Sequence, residues 1–124
     1  MFNEIVNSLN IPIIILDKDN FIRFVNPAVE EFLSLSSSIL INNNLINFFN
    51  EDSALFLLIK RVRKTNNSLS EDSLKLNSKN NLEKKVKISI FPLFNIKNHI
   101  IVQLIETKSS EKFISHKIHN KISK

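Results

Sequence analysis

Glycine is absent from all 124 residues. The residue that reaches positive φ without steric cost is therefore unavailable to any turn, and a glycine-rich loop that cradles phosphate is excluded. Eighteen asparagines stand in its place. Asn is the next best residue at positive φ, so its runs are expected at the turns.

Cysteine is absent too, which removes disulfides, thiolate zinc sites, iron-sulfur clusters and a cysteine nucleophile. A reducing, cytoplasmic setting fits. Trp and Tyr are missing, and the ten Phe offer no hydroxyl to a ligand. Near the N-terminus the longest apolar run is Ile11 to Leu16, broken by Pro12, far short of the roughly 18 to 20 residues that span a bilayer. Glu4 ahead of it argues against a signal peptide. No membrane association is expected.

What is present suits one folded domain: 43% of the residues are hydrophobic, and the length allows a single core. The net charge of +5 is a property of the tail. Residues 1 to 107 hold 12 Lys and Arg against 11 Asp and Glu, whereas residues 108 to 124 hold five Lys against Glu111 alone. A nucleic-acid binder carries its basic face on the folded body. Here the body is nearly neutral, and no nucleic-acid partner is expected.

Periodicity divides the chain. Phe2, Ile5, Val6 and Leu9 are spaced as the apolar stripe of a short helix over 1–10. Ile11 to Asp17 reads as a buried strand, Asp17 to Asn20 as a tight turn with Asn20 where glycine is commonest, and Phe21 to Val25 as the returning strand. Asn26-Pro27 is an N-cap followed by a residue suited to the first helical position. One or two short helical turns, broken at Asn42 to Asn44, are expected over Ser36 to Phe49.

Asp52 or Ser53 then caps the strongest helix, with Leu55, Leu58, Ile59 and Val62 on one stripe and Lys60, Arg61, Arg63 and Lys64 placed in solvent near its end. Beyond Asn67 the period drops to two. Leu74 and Leu76, then Val86, Ile88 and Ile90, then Ile100, Val102 and Leu104 mark three strands. In the tail, Ile114, Ile118 and Ile122 recur every four residues.

This order predicts an α+β domain over 11–107, in which the initial hairpin joins the final meander as a five-stranded antiparallel sheet with helices on one face. Flanking helices are expected at 1–10 and 108–124. The turn "DKDN" followed by "NPAVEEFL" resembles the PAS family, whose signature is an Asp-x-(Asp/Asn)-Gly turn followed by Asn-Pro-Ala and a helix.

A narrower resemblance, to the sensory domain of the NtrB family of nitrogen-regulation histidine kinases, lies in "NPAVEEFLSLSSSIL", "EDSALFLLIKRVRKTNNSLSEDSLKL" and "VKISIFPLF". The tail "EKFISHKIHNK" resembles the linker to the kinase helices. That resemblance implies a sensor module providing dimerisation and signal input. ATP and Mg would serve only a kinase region outside this chain, whose partners would be an NtrC-type response regulator and a PII-type signal protein. A phosphoacceptor motif and an ATP lid are not found in the 124 residues, so the chain itself is not expected to be an enzyme, and it reads as a fragment or a natural truncation. The alternative is a free-standing module for a small ligand.

Ile22, Phe24, Phe32, Leu57, Ile88 and Ile90 are expected to face the helix-covered side of the sheet, as core or as pocket lining. Arg23 and Asn26 are the polar groups placed at the edge of such a pocket. Flavin chemistry through a cysteine adduct is impossible, and His99, in a turn, is poorly placed for haem. His116 and His119 lie three apart but lack further ligands. Neither a metal nor a resident cofactor is expected. Two copies associating through Phe2, Ile5, Val6 and Leu9 and through Ile114, Ile118 and Ile122 would bury both stripes.

Overall fold

The computed structural model describes residues 10–79 and 83–107. The expected flanking helices at 1–10 and 108–124, with their seven apolar stripe residues and with His116 and His119, lie outside the described residues apart from Asn10.

Strands β1 (Ile13–Leu16) and β2 (Ile22–Val25) form the hairpin. Helices α1 (Pro27–Leu33) and α2 (Ser37–Leu40), a 3₁₀ turn (Leu45–Asn47) and the longer α3 (Ala54–Thr65) follow. Strands β3 (Leu69–Asn77), β4 (Glu83–Pro92) and β5 (Ile100–Glu106) close the chain. All five strands form one antiparallel sheet in the order β2-β1-β5-β4-β3. The hairpin joins the meander through β1 and β5, which places the first and last strands side by side at the centre.

The local chemistry is that of the predicted caps. Asn26 Oδ1 accepts from Val29 N ahead of Pro27 at the first turn of α1, and Ser53 accepts from Leu55 N at the start of α3. Six residues have positive φ: Asn20, Asn42, Asn66 and Asn98, with Ser34 and Ser73. Asparagine does take the turns that glycine would.

The core lies between the sheet and the helices. Ile14 and Leu16 of β1, Ile88 and Ile90 of β4 and Val102 and Leu104 of β5 meet Val29 and Leu33 of α1 and Leu55, Ile59 and Val62 of α3. The loop after α2 covers the free edge of β2: Ile22 N donates to Asn43 O and Asn42 N to Ile22 O. At the other edge β3 carries a bulge, where Glu71 to Leu74 oppose Ile88 to Val86 and Ser73 turns to positive φ. Bulges and covered edges both oppose strand addition from another chain.

Two expected core residues are displaced. Leu57 is 66% exposed. At about 100° per residue it sits about 150° from the centre of the buried stripe of α3, so it cannot share that face. Phe24 is half-buried on the uncovered face of the sheet. Strict alternation would put it beside Ile22, but β1 pairs Ile15 with Phe24 and Leu16 with Ile22, which leaves Arg23 as an extra residue. The bulge returns Ile22 and Val25 to the core side and turns Phe24 outward.

Candidate functional site

Of the residues expected to line a pocket, Ile22, Ile88 and Ile90 are fully buried and Phe32 nearly so. They pack within the one hydrophobic cluster between sheet and helices. Asn26 is not at a pocket edge. It is fully buried, and its Oδ1 also accepts from Ile13 N at 3.0 Å while its Nδ2 donates to Ile11 O at 2.8 Å. One amide thus fixes the start of β1 against the start of α1. Arg23 is likewise committed, donating from Nε to Asp17 Oδ2 at 2.9 Å and from Nη1 to Asn42 Oδ1 at 2.7 Å.

Asp17 organises the hairpin turn. Its Oδ1 accepts from Asp19 N at 2.9 Å and from Phe21 N at 3.0 Å, and its Oδ2 faces Arg23. Burial pushes this carboxyl up, but the Phe21 and Asp19 amides and the Arg23 guanidinium together hold it below the ordinary aspartate value. The same turn is grasped from behind by α3. Arg63 Nη2 donates to Asp17 O and, at 2.7 Å, to Asn20 Oδ1, while Nη1 donates to Asn98 O at 2.7 Å.

Arg63 therefore is not a solvated helix-end charge, as the sequence reading has it for the whole basic cluster. It ties together three places remote in sequence: the hairpin turn, the end of α3 and the β4–β5 connection. The only sequence signal for this was the i+4 spacing that puts Arg63 one turn beyond Ile59, on the edge of the buried stripe. Burial pushes its guanidinium down from the usual arginine value, opposed by the charges of Asp17 and Asp19, and it stays cationic.

A groove of about 690 Å³ lies where the domain's ends meet. Asn10, Ile11 and Pro12 form one wall, α1 contributes Pro27, Ala28, Glu31 and Phe32, and the far side is Lys84 with Leu104 to Glu106. Lys84 Nζ stands 4.6 Å from the centre of the Phe32 ring and 3.5 Å from Glu106 Oε1. Both contacts are near the surface and contribute little to stability. The pairing of Ile13 with Gln103 explains the groove's position: the segments before β1 and after β5 are neighbours in space.

The described residues contain no group of three or more His, Asp or Glu side chains able to hold a metal ion. His99, in the β4–β5 connection, sets its Nδ1 3.1 Å from Lys97 O, outside the core. No helix among the described residues is long and apolar enough to cross a membrane.

Three comparisons bear on this geometry. The family model described as the PAS fold matches residues 1–107. The sensory histidine kinase/phosphatase NtrB of Rhizobium meliloti (strain 1021) is 24% identical over 109 residues, which are 87% of this chain and 28% of that protein. Among solved structures, the PAS domain of nitrogen regulation protein NR(II) from Vibrio parahaemolyticus superposes with a TM-score of 0.74 at 17% identity, covering 86% of this chain and 98% of that one. A PAS domain from a two-component sensor histidine kinase gives 0.66 at 18%, covering 86% and 93%. At these identities the structural matches speak for the fold.

Proposed function

This chain belongs to the PAS family, a family of sensory domains, and from that membership we propose that it is the signal-input and dimerisation domain of a cytoplasmic NtrB-like histidine kinase. The observation that carries the proposal is the side-by-side pairing of β1 with β5. Whatever precedes the domain and whatever follows it meet at one groove, so a change in how two copies pack through the preceding segment reaches the following segment directly. A module that passes a signal along a chain needs such a junction, and a bistable packing is how such signals travel.

The relation to the R. meliloti kinase/phosphatase supports the choice of kinase. In that reading the kinase region, bound to ATP and Mg, phosphorylates its own histidine and passes the phosphoryl group to an NtrC-type response regulator. A PII-type signal protein shifts it towards phosphatase action. This domain supplies the dimer and the input, with no chemistry of its own.

Reading the coding sequence beyond Lys124 tests the proposal. A phosphoacceptor helix followed by an ATP-binding domain is the expected continuation. A different effector domain, or a stop codon, overturns the kinase assignment and leaves the sensory fold intact.

A further inference from the structure

Away from the core and from the groove at the domain's ends, a cleft of about 150 Å³ opens between the hairpin turn, the end of α3 and the β4–β5 connection. Its polar lining is Lys18, Arg63, Asn66, Asn98 and His99. No acidic side chain lines it among the described residues. Its volume equals about five waters at 30 Å³ each, below the range of about 300 to 1,000 Å³ that takes drug-sized ligands. That is room for one charged head group.

The charge at this place is not balanced. Arg63 donates only to uncharged oxygens, those of Asp17 O, Asn20 Oδ1 and Asn98 O. The carboxylate of Asp17 is turned to Arg23, and among the described residues Arg63 has no ion pair. Its Nε is buried without a hydrogen-bond partner. Asp19 is near enough to act on Arg63 through space, but does not line the cleft.

Set against Asp19 are Lys18 at the rim and Lys64 in the last turn of α3. These cations and Arg63 outweigh the partial negative charge of the helix C-terminus, which is about half an elementary charge. A partly desolvated guanidinium held by carbonyls alone, with an ammonium and side-chain amides around a small opening, is matched by an anion with several acceptor oxygens.

We propose that this cleft binds a small oxyanion of the carboxylate or phosphate class, held between Lys18 and Arg63 and oriented by the Asn66 and Asn98 amides. The site lies outside the sheet–helix core and is independent of the NtrB-like reading. Because Arg63 joins the hairpin turn to the β4–β5 connection, an anion here would tighten two loops at the end of the domain opposite none of its core residues but beside its central strands.

The test is a titration of the full ¹⁵N-labelled chain with inorganic phosphate and, separately, with acetate, each against sodium chloride at the same pH and ionic strength. The readouts are the Arg63 Nε–H signal and the side-chain amides of Asn66 and Asn98. Saturable shifts with either anion are expected, weakened about tenfold or more in Lys18→Glu. Lys18 is exposed, so that variant keeps the fold where Arg63→Gln risks it. Phosphate or acetate acting alone assigns the class within the proposal. Shifts that never saturate, shifts that chloride reproduces, or shifts that survive Lys18→Glu unchanged overturn it.

Discussion

Asp17, Arg63 and the asparagines show how much single residues carry in a chain without glycine. Asp17 is held below the ordinary aspartate pKa, so it binds its proton less readily folded than unfolded. Its contribution to stability is therefore full above about pH 4, near the unfolded value, and is lost as pH falls through the lower folded value. Asp17→Asn keeps an oxygen for the Asp19 and Phe21 amides but not the charge. Chemical denaturation at pH 7 is expected to find the variant less stable, with the gap to the parent closing towards pH 2; a gap that stays constant with pH means the charge is not what matters.

Two asparagines at positive φ separate backbone from side chain. Asn66 ends α3 in the left-handed region and donates from its N–H to Val62 O, so Asn66→Gly should stabilise by up to about 1 kcal/mol. Asn20 has the same backbone sign, as its place in the turn predicts, and on that ground alone glycine would be welcome. Its Oδ1, however, accepts from the partly buried Arg63. Asn20→Gly leaves that donor without its acceptor, and a loss of about 1–2 kcal/mol is expected instead. Thermal melts of the two variants, moving in opposite directions, would bear this out. The turn was legible in the sequence; the second task of Asn20 was not, because its partner lies 43 residues away.

At the scale of elements, legibility followed period. The caps at Asn26 and Ser53, the core stripe of α3 and the inward residues of β4 and β5 repeat at 3.6 or 2.0, and the structure places them as the spacing implies. Failures came where one residue breaks the period. Arg23 inserts a bulge that no composition rule marks, because its cause is the Asp17 and Asn42 partners that hold the guanidinium beside the strand. Leu57 misled because an apolar residue in a helix was read by type and not by angle. The two faces of α3 can be weighed directly: Leu58→Ala, at a buried position, should cost about 2–5 kcal/mol, whereas Leu57→Ala should change stability by no more than about 0.5 kcal/mol. Equal losses would mean that Leu57 is covered in solution, which is the signature of a partner on that face.

For the whole molecule, the central pairing of β1 with β5 turns two remote ends of the chain into neighbours, and the proposed role depends on what those ends do. The apolar spacing of Phe2, Ile5, Val6 and Leu9 precedes the groove, and that of Ile114, Ile118 and Ile122 follows it. A stripe of three or four apolar residues is too small to drive strong association alone, at roughly 1.5–3 kcal/mol for each side chain fully buried and with the cost of association set against it. Two stripes leaving from one place act together, since fixing one raises the effective concentration of the other. Light scattering on the eluting full chain should therefore give about twice the 14.4 kDa monomer mass, falling on dilution. Ile5→Glu should weaken the dimer, as should Ile118→Glu, and the double variant should elute as a monomer with the circular dichroism of the parent. Because the core residues are all drawn from the described body, loss of the dimer should not unfold the domain. A parent chain that is monomeric at every concentration would remove dimerisation from the proposed role and leave signal input to be carried by the groove within one copy.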